Sequence, residues 1–172
     1  MEKIILLGYM GCGKSTIAHK LSKIIRIPYL DLDKCIEERM NLSVNEIFDQ
    51  KGEIYFRKIE HEIFKELINS PESLIIGLGG GTPCYANNHD LLNGQNILSI
   101  YLKASIQTLF NRLIVNKSNR PIIASLNEFE LKEFIAKHLF DRSYYYNQAT
   151  KKIVVDNKSV DETILDILQI LT

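Results

Sequence analysis

Lys3-Ile4-Ile5-Leu6-Leu7-Gly8-Tyr9-Met10-Gly11-Cys12-Gly13-Lys14-Ser15 opens on an apolar run and breaks at once into glycines and a Lys-Ser pair. The β-branched and leucine run Lys3–Leu7 has the character of a strand buried on both faces. Residues 8–15 match the pattern G-x4-G-K-[ST]. Glycines let such a backbone turn with its N–H groups inward, so that a polyphosphate can be wrapped closely. The helix that follows presents its positive N-terminus to the same anion. Lys14 can reach the β- and γ-phosphates, and the Ser15 hydroxyl can ligate Mg2+. With glycine at about 7% of residues, a chance match in a chain of this length is roughly a one-in-a-hundred event or rarer. A glycine-rich turn with an incidental Lys-Ser is therefore the weaker reading. Thr16 either extends the hydroxyl pair or packs the first turn. Cys12 is a tolerated small residue with no histidine beside it in sequence, and His19 is a surface or packing residue.

Outward from this loop, apolar runs alternate with helical periods. Lys14 to about Ile25 repeats apolar residues at Ile17, Ala18, Leu21 and Ile24-Ile25. Pro28-Tyr29-Leu30 predicts a second strand running into Asp31. Short helices are expected over Asp33–Met40 and Ser43–Asp49, the latter opened by Ser43 and Glu46 at capping-box spacing. Gly52 to about Ile68 predicts a longer helix with Ile59, Ile63, Phe64 and Leu67 on one stripe. Leu74–Ile76 is a third strand ending in Gly77-Leu78-Gly79-Gly80-Gly81, and Ile97–Leu102 a fourth. Ser105 caps a helix to about Ile114, and a polar stretch over 115–127 contains Arg120-Pro121. Glu128–Asn147 predicts a helix, Ile153–Val155 a fifth strand and Ser159–Leu171 a last helix with Ser159 and Glu162 as a second capping box. The alternation predicts an α/β three-layer sandwich on a five-stranded parallel sheet, with residues 1–172 as one domain. In such sheets ligands sit at the carboxyl ends of the strands.

The 172 residues are about one domain's worth, and 45% hydrophobic with 24% charged residues is ordinary globular composition. That excludes a disordered chain, a fibre and a small disulfide scaffold. Lys+Arg and Asp+Glu balance at 21 each, so no global basic field favours nucleic acid or an anionic membrane. Three cysteines without a CxxC suit a reducing compartment. The first apolar run is far shorter than a signal core or a membrane span, which places the chain in the cytoplasm. The lack of an obvious exposed apolar stripe leans to a monomer.

The acceptor side is read from the end of the second strand. Asp31 and Asp33 stand two apart, so on an extended backbone both carboxylates face one side. One would hold the Mg2+ hydration shell, and the other would orient and deprotonate an acceptor hydroxyl. Taken without the phosphate loop, the pair is a strand-end Asp followed by an Asp N-cap. Arg57 has Glu60 three residues on, able to hold the guanidinium for a bidentate grip on a carboxylate. Gly79-Gly80-Gly81 offers bare backbone to a small ligand, and Arg142 adds a cation at the expected rim. Each Arg alone reads as a solvated residue, and the triple glycine alone as a plain loop.

As an ordered set these residues resemble the shikimate kinases, along essentially the whole length. The resemblance rests on Gly8–Thr16, Asp31-Leu32-Asp33, Gly52-Glu53 with Phe56-Arg57 and Glu60, the triple glycine, Arg120-Pro121, and Arg142 with Tyr146. It implies a P-loop, nucleoside-monophosphate-kinase-like fold with a mobile lid at about 115–127 and acceptor-binding helices at about 33–62. It implies ATP and shikimate as substrates, Mg2+ as cofactor and phosphoryl transfer to the 3-hydroxyl. ATP would be bound by Gly11, Cys12, Gly13, Lys14, Ser15, Thr16, Arg120 and, on a loose local match, Lys158. Shikimate would be bound by Asp33, Arg57, Gly79, Gly80, Gly81 and Arg142, and the metal by Ser15 and Asp31. Lys14, Asp33 and Arg120 would be catalytic, Asp33 as base and Arg120 as the lid arginine. Phe48 and Phe56 would wall the acceptor pocket or belong to the core. The chain departs from the usual pattern at Pro121-Ile122-Ile123, in its Asn- and Ser-rich lid, and at Leu78. Gluconate and adenylate-type kinases are the neighbouring alternatives. A GTP switch would need N-K-x-D, and Asn116-Lys117-Ser118-Asn119 fails its last position.

Overall fold

The structure is a computed structural model describing residues 2–115, 117 and 121–171. β1 (Lys3–Leu7) is buried at every position and lies in the middle of a sheet that also contains β2 (Tyr29–Asp31), β3 (Leu74–Gly77), β4 (Ile97–Lys103) and β5 (Lys151–Val154). The order is β2-β3-β1-β4-β5 and every pairing is parallel. Lys3 pairs with Leu74 on one side and Ile97 on the other, so the phosphate loop leaves the sheet between two crossover neighbours. This is the switch-point geometry in which α/β sheets bind ligands. The helices are α1 (Lys14–Ile25), α2 (Leu32–Met40), α3 (Val44–Lys51), α4 (Glu53–Asn69), α5 (Ile106–Val115), α6 (Pro121–Ala124), α7 (Glu128–Tyr146) and α8 (Val160–Leu171). α1 packs on α8, α5 on α7, and α4 on both α2 and α3. The buried apolar side chains form one contiguous cluster. No helix among the described residues is long and apolar enough to cross a membrane.

Expected boundaries hold to within a residue or two for β1, α1, α3, α4, β4, α5, α7 and α8. Both anticipated capping boxes form: Ser43 Oγ accepts from the Glu46 N–H at 3.3 Å, and Ser159 Oγ from the Glu162 N–H at 3.2 Å. Ser105 caps α5 through the Thr108 N–H at 3.2 Å. Four differences are instructive. β5 begins at Lys151 rather than Ile153, because at this sheet edge only Ile153 of the strand is buried. The polar stretch over 115–127 contains the short α6, and two 3₁₀ turns, Thr82–Cys84 and Asn88–Leu92, follow the glycines. Finally, β2 stops at Asp31 and α2 begins at once, so Asp33 lies on a first helical turn and not on extended backbone.

Candidate active site

The loop from Gly8 to Gly13 is shaped for an anion. Gly13 caps α1 at φ +103° with no side-chain hydrogen bond, so the first-turn N–H groups have no side-chain acceptor. At Gly8 a Cβ would come within 2.7 Å of the Leu102 carbonyl oxygen, which excludes any larger residue. The Lys14 ammonium donates to the Gly8 carbonyl at 2.8 Å and the Tyr9 carbonyl at 3.1 Å, so it lies over the loop it belongs to. Cys12 is a buried packing residue. Its carbonyl accepts from Arg112 Nη1 at 3.1 Å, which braces the loop from α5.

Arg112 was not anticipated, and only the packing of α5 against the loop reveals it. An open cleft of about 690 Å3 is bordered by the loop residues Met10–Ile17, by Asp31, Asp33, Leu78, Gly79 and Gly80, and by Arg112, Leu113, Val155, Lys158 and Val160. Gly11, Cys12, Gly13, Lys14, Ser15 and Thr16 thus meet there as expected. Thr16 is exposed and borders the cleft beside Ser15. Lys158 reaches the cleft wall while ion-paired to Asp166 at 2.5 Å. Arg120 lies outside the described residues.

Asp31 corrects the extended-strand reading. Its Oδ1 accepts the N–H groups of Asp33 at 3.0 Å and Lys34 at 3.3 Å, making it the N-cap of α2. Its Oδ2 accepts from the Tyr29 hydroxyl at 3.1 Å. The helical turn still leaves both Asp31 and Asp33 bordering the cleft. Asp33 is enclosed, and burial, with the Asp31 and Glu60 carboxylates nearby, pushes its pKa up to about 6, against the opposing pull of Lys14.

The triple glycine ties the acceptor residues together. A Cβ on Gly79 would lie 3.1 Å from Asp33 Oδ1, one on Gly80 3.2 Å from Arg142 Nη1, and one on Gly81 2.8 Å from Arg57 Nη2. Three consecutive glycines therefore each face one of three charged side chains delivered by α2, α7 and α4. None of the three has a positive φ, so glycine is needed here for room and not for a turn. Arg57 and Arg142 do not border the main cleft; they approach the glycine loop itself.

Each guanidinium is held from behind. Arg57 Nη1 donates to Glu60 Oε2 at 2.9 Å, and Glu60, 1% exposed, also accepts from the Thr82 hydroxyl at 2.7 Å. The Tyr85 ring lies 3.9 Å from the Arg57 guanidinium carbon. Phe48 and Phe56, with ring centroids 4.6 Å apart, pack beside the same group. Arg142 sits 5.6 Å from the Tyr9 ring and shares the Gly80 side of the loop with Tyr146, which is fully buried and donates to the Gly80 carbonyl at 2.6 Å.

A polyphosphate cradle, an enclosed acid facing it, and two guanidiniums beyond the acid are the parts needed to pass a phosphoryl group to a hydroxylated carboxylate. The class defined is a P-loop small-molecule kinase. The shikimate kinase family model matches residues 10–172. The shikimate kinase of Flavobacterium johnsoniae is 70% identical over 171 residues, 99% of each chain. The solved shikimate kinase of Bacteroides thetaiotaomicron superposes with a TM-score of 0.91 at 32% identity, covering 99% of this chain and 98% of that one. That of Acinetobacter baumannii, solved in complex with shikimate, gives 0.86 at 27% identity over 99% and 93%. The chain belongs to the shikimate kinase family and is an ATP-dependent kinase.

Proposed function

We propose that this kinase transfers the γ-phosphoryl group of ATP to the 3-hydroxyl of shikimate, working as a cytoplasmic monomer built on a single domain. The observation that carries the reading is the registration of Gly79, Gly80 and Gly81 against Asp33, Arg142 and Arg57. A hydroxyl-binding acid and two carboxylate-binding guanidiniums then address one small molecule from one loop. Arg57 and Arg142 grip the carboxylate and Asp33 receives the hydroxyl proton. Loop N–H groups and Lys14 hold the transferring phosphate. Positioning and charge neutralisation do most of the work in such reactions.

Mg2+ fits the residues present. Among the described residues no three or more His, Cys, Asp or Glu side chains form a metal-binding group, but this ion needs only one or two carboxylates beside substrate phosphates and water. Ser15 and Asp31 would hold it, Asp31 Oδ2 keeping a lone pair beyond the three bonds the carboxylate accepts. When bound it supplies positive charge at the β- and γ-phosphates.

Two variants test the assignments. Arg142→Ala is expected to raise the KM for shikimate about 10- to 100-fold, the loss of one charged hydrogen bond, with the KM for ATP little changed. Steady-state kinetics with a shikimate KM within twofold of the native value would remove Arg142 from the carboxylate site. Residues 115–127 form the lid in this reading, and Arg120 closes over the transferring phosphate, excluding water as the competing acceptor. Arg120→Ala should therefore lower kcat more than it weakens ATP binding; an unchanged kcat would contradict that role.

A further inference from the structure

The Tyr29 phenol stands between the phosphate loop and the start of α2. Its hydroxyl donates to Asp31 Oδ2 at 3.1 Å, and the Ser15 hydroxyl lies near enough to the phenol to interact with it. The proton order follows from chemistry. Tyr29 spends its single proton on Asp31, so toward Ser15 the phenol oxygen can only accept. Ser15 Oγ then keeps its lone pairs for the cleft, and Asp31 is held through both oxygens.

Two surrounding residues fix the phenol there. Tyr29 pairs with Ile75 across β2 and β3, and its ring swings over Gly77, where a Cβ would lie 2.8 Å from the hydroxyl and 3.0 Å from the ring. His19 packs edge-on against the same ring, centroids 4.8 Å apart. Gly77 has no positive φ, so the absence of a side chain serves the phenol and not the backbone.

We infer that Tyr29 is a positioning residue for the divalent cation that accompanies the nucleotide, linking and orienting the two oxygens that would hold it, Ser15 Oγ and the Asp31 carboxylate. This rests on the kinase reading above. Partners that orient metal ligands commonly matter 10- to 100-fold for metal affinity.

Calorimetric titration of ADP, once with EDTA and once with saturating Mg2+, isolates the effect from turnover. The native protein should bind ADP more tightly with Mg2+. Tyr29→Phe, which keeps the ring and removes one oxygen, should bind metal-free ADP and shikimate within twofold of native. It should lose about tenfold or more of the Mg2+-dependent gain. Gly77→Ala, which leaves the hydroxyl but displaces it, should show the same selective loss. An undiminished Mg2+ gain in both variants would overturn the inference while leaving the kinase reading intact. Equal weakening of metal-free ADP would likewise overturn it, marking Tyr29 as a structural support of the loop. No Mg2+ gain in the native protein would instead overturn the cation assignment itself.

Discussion

Asp33→Asn is expected to lower kcat with ATP–Mg2+ and shikimate by about 10²- to 10⁴-fold, the usual contribution of a positioned base. The same change should stabilise the ligand-free protein at neutral pH. The reason is the environment that makes Asp33 useful. Burial and the neighbouring Asp31 and Glu60 carboxylates raise its pKa to about 6, so the folded state binds this proton more tightly than the unfolded chain does. Folded protein is therefore favoured most when Asp33 is protonated. Stability contributed by this residue falls as pH rises from about 4 to about 6, and the full cost, about 3 kcal/mol at most, stands above that window. Asn carries no charge and escapes the cost. Denaturant unfolding in EDTA at pH 4.5 and 7.5 should show the variant gaining on the native protein at the higher pH. Parallel curves at both values would show that Asp33 is not held as described.

The second large effect is at Glu60. This carboxylate is 1% exposed and satisfied by Arg57 and Thr82, so Glu60→Ala leaves the Thr82 hydroxyl without its acceptor and a mostly buried guanidinium with the longer 3.4 Å contact to Glu53 as its carboxylate partner. Breaking a buried pair from one side typically costs about 3–5 kcal/mol, a large share of the roughly 5–15 kcal/mol that holds a domain. Glu60→Ala should unfold at markedly lower denaturant. Glu60→Gln keeps the shape and the Thr82 hydroxyl contact but not the charge. It should fold well enough to show a raised shikimate KM with an ordinary ATP KM, because Arg57 is no longer aimed. Native-like stability of Glu60→Ala would mean that the pair carries little of the fold.

Much of this was readable in the chain. β1 and the start of α1 are marked by a change from an apolar run to glycines and then to helical spacing, all within 13 consecutive residues. The boxes at Ser43 and Ser159 are visible because both partners lie three apart. Asn127 and Glu130 form a third box by the same rule, and it went unanticipated at the end of a polar stretch. β5 blurs because Lys151 and Lys152 are exposed on an edge strand and carry no apolar signal. The Asp31–Asp33 pair was identified as a unit, but its geometry turned on whether the strand ends before or after Leu32, a matter of one residue.

What sequence spacing could not show is which side chains face which glycines. Asp33, Arg142 and Arg57 come from helices more than 100 residues apart at the extremes, and they meet at Gly79–Gly81 only through the packing of α2, α4 and α7. Arg112 belongs to the same category: an ordinary helical arginine until α5 is laid against the phosphate loop.

The account stands or falls on the acceptor. The direct test is ADP release from ATP–Mg2+ by the purified protein with shikimate, with gluconate, with AMP and with no acceptor. Fast release with shikimate alone is predicted. Release driven by gluconate or AMP would keep the phosphate cradle and contradict the roles given to Asp33, Arg57 and Arg142. Equal slow release under all four conditions would contradict phosphoryl transfer to a small acceptor altogether.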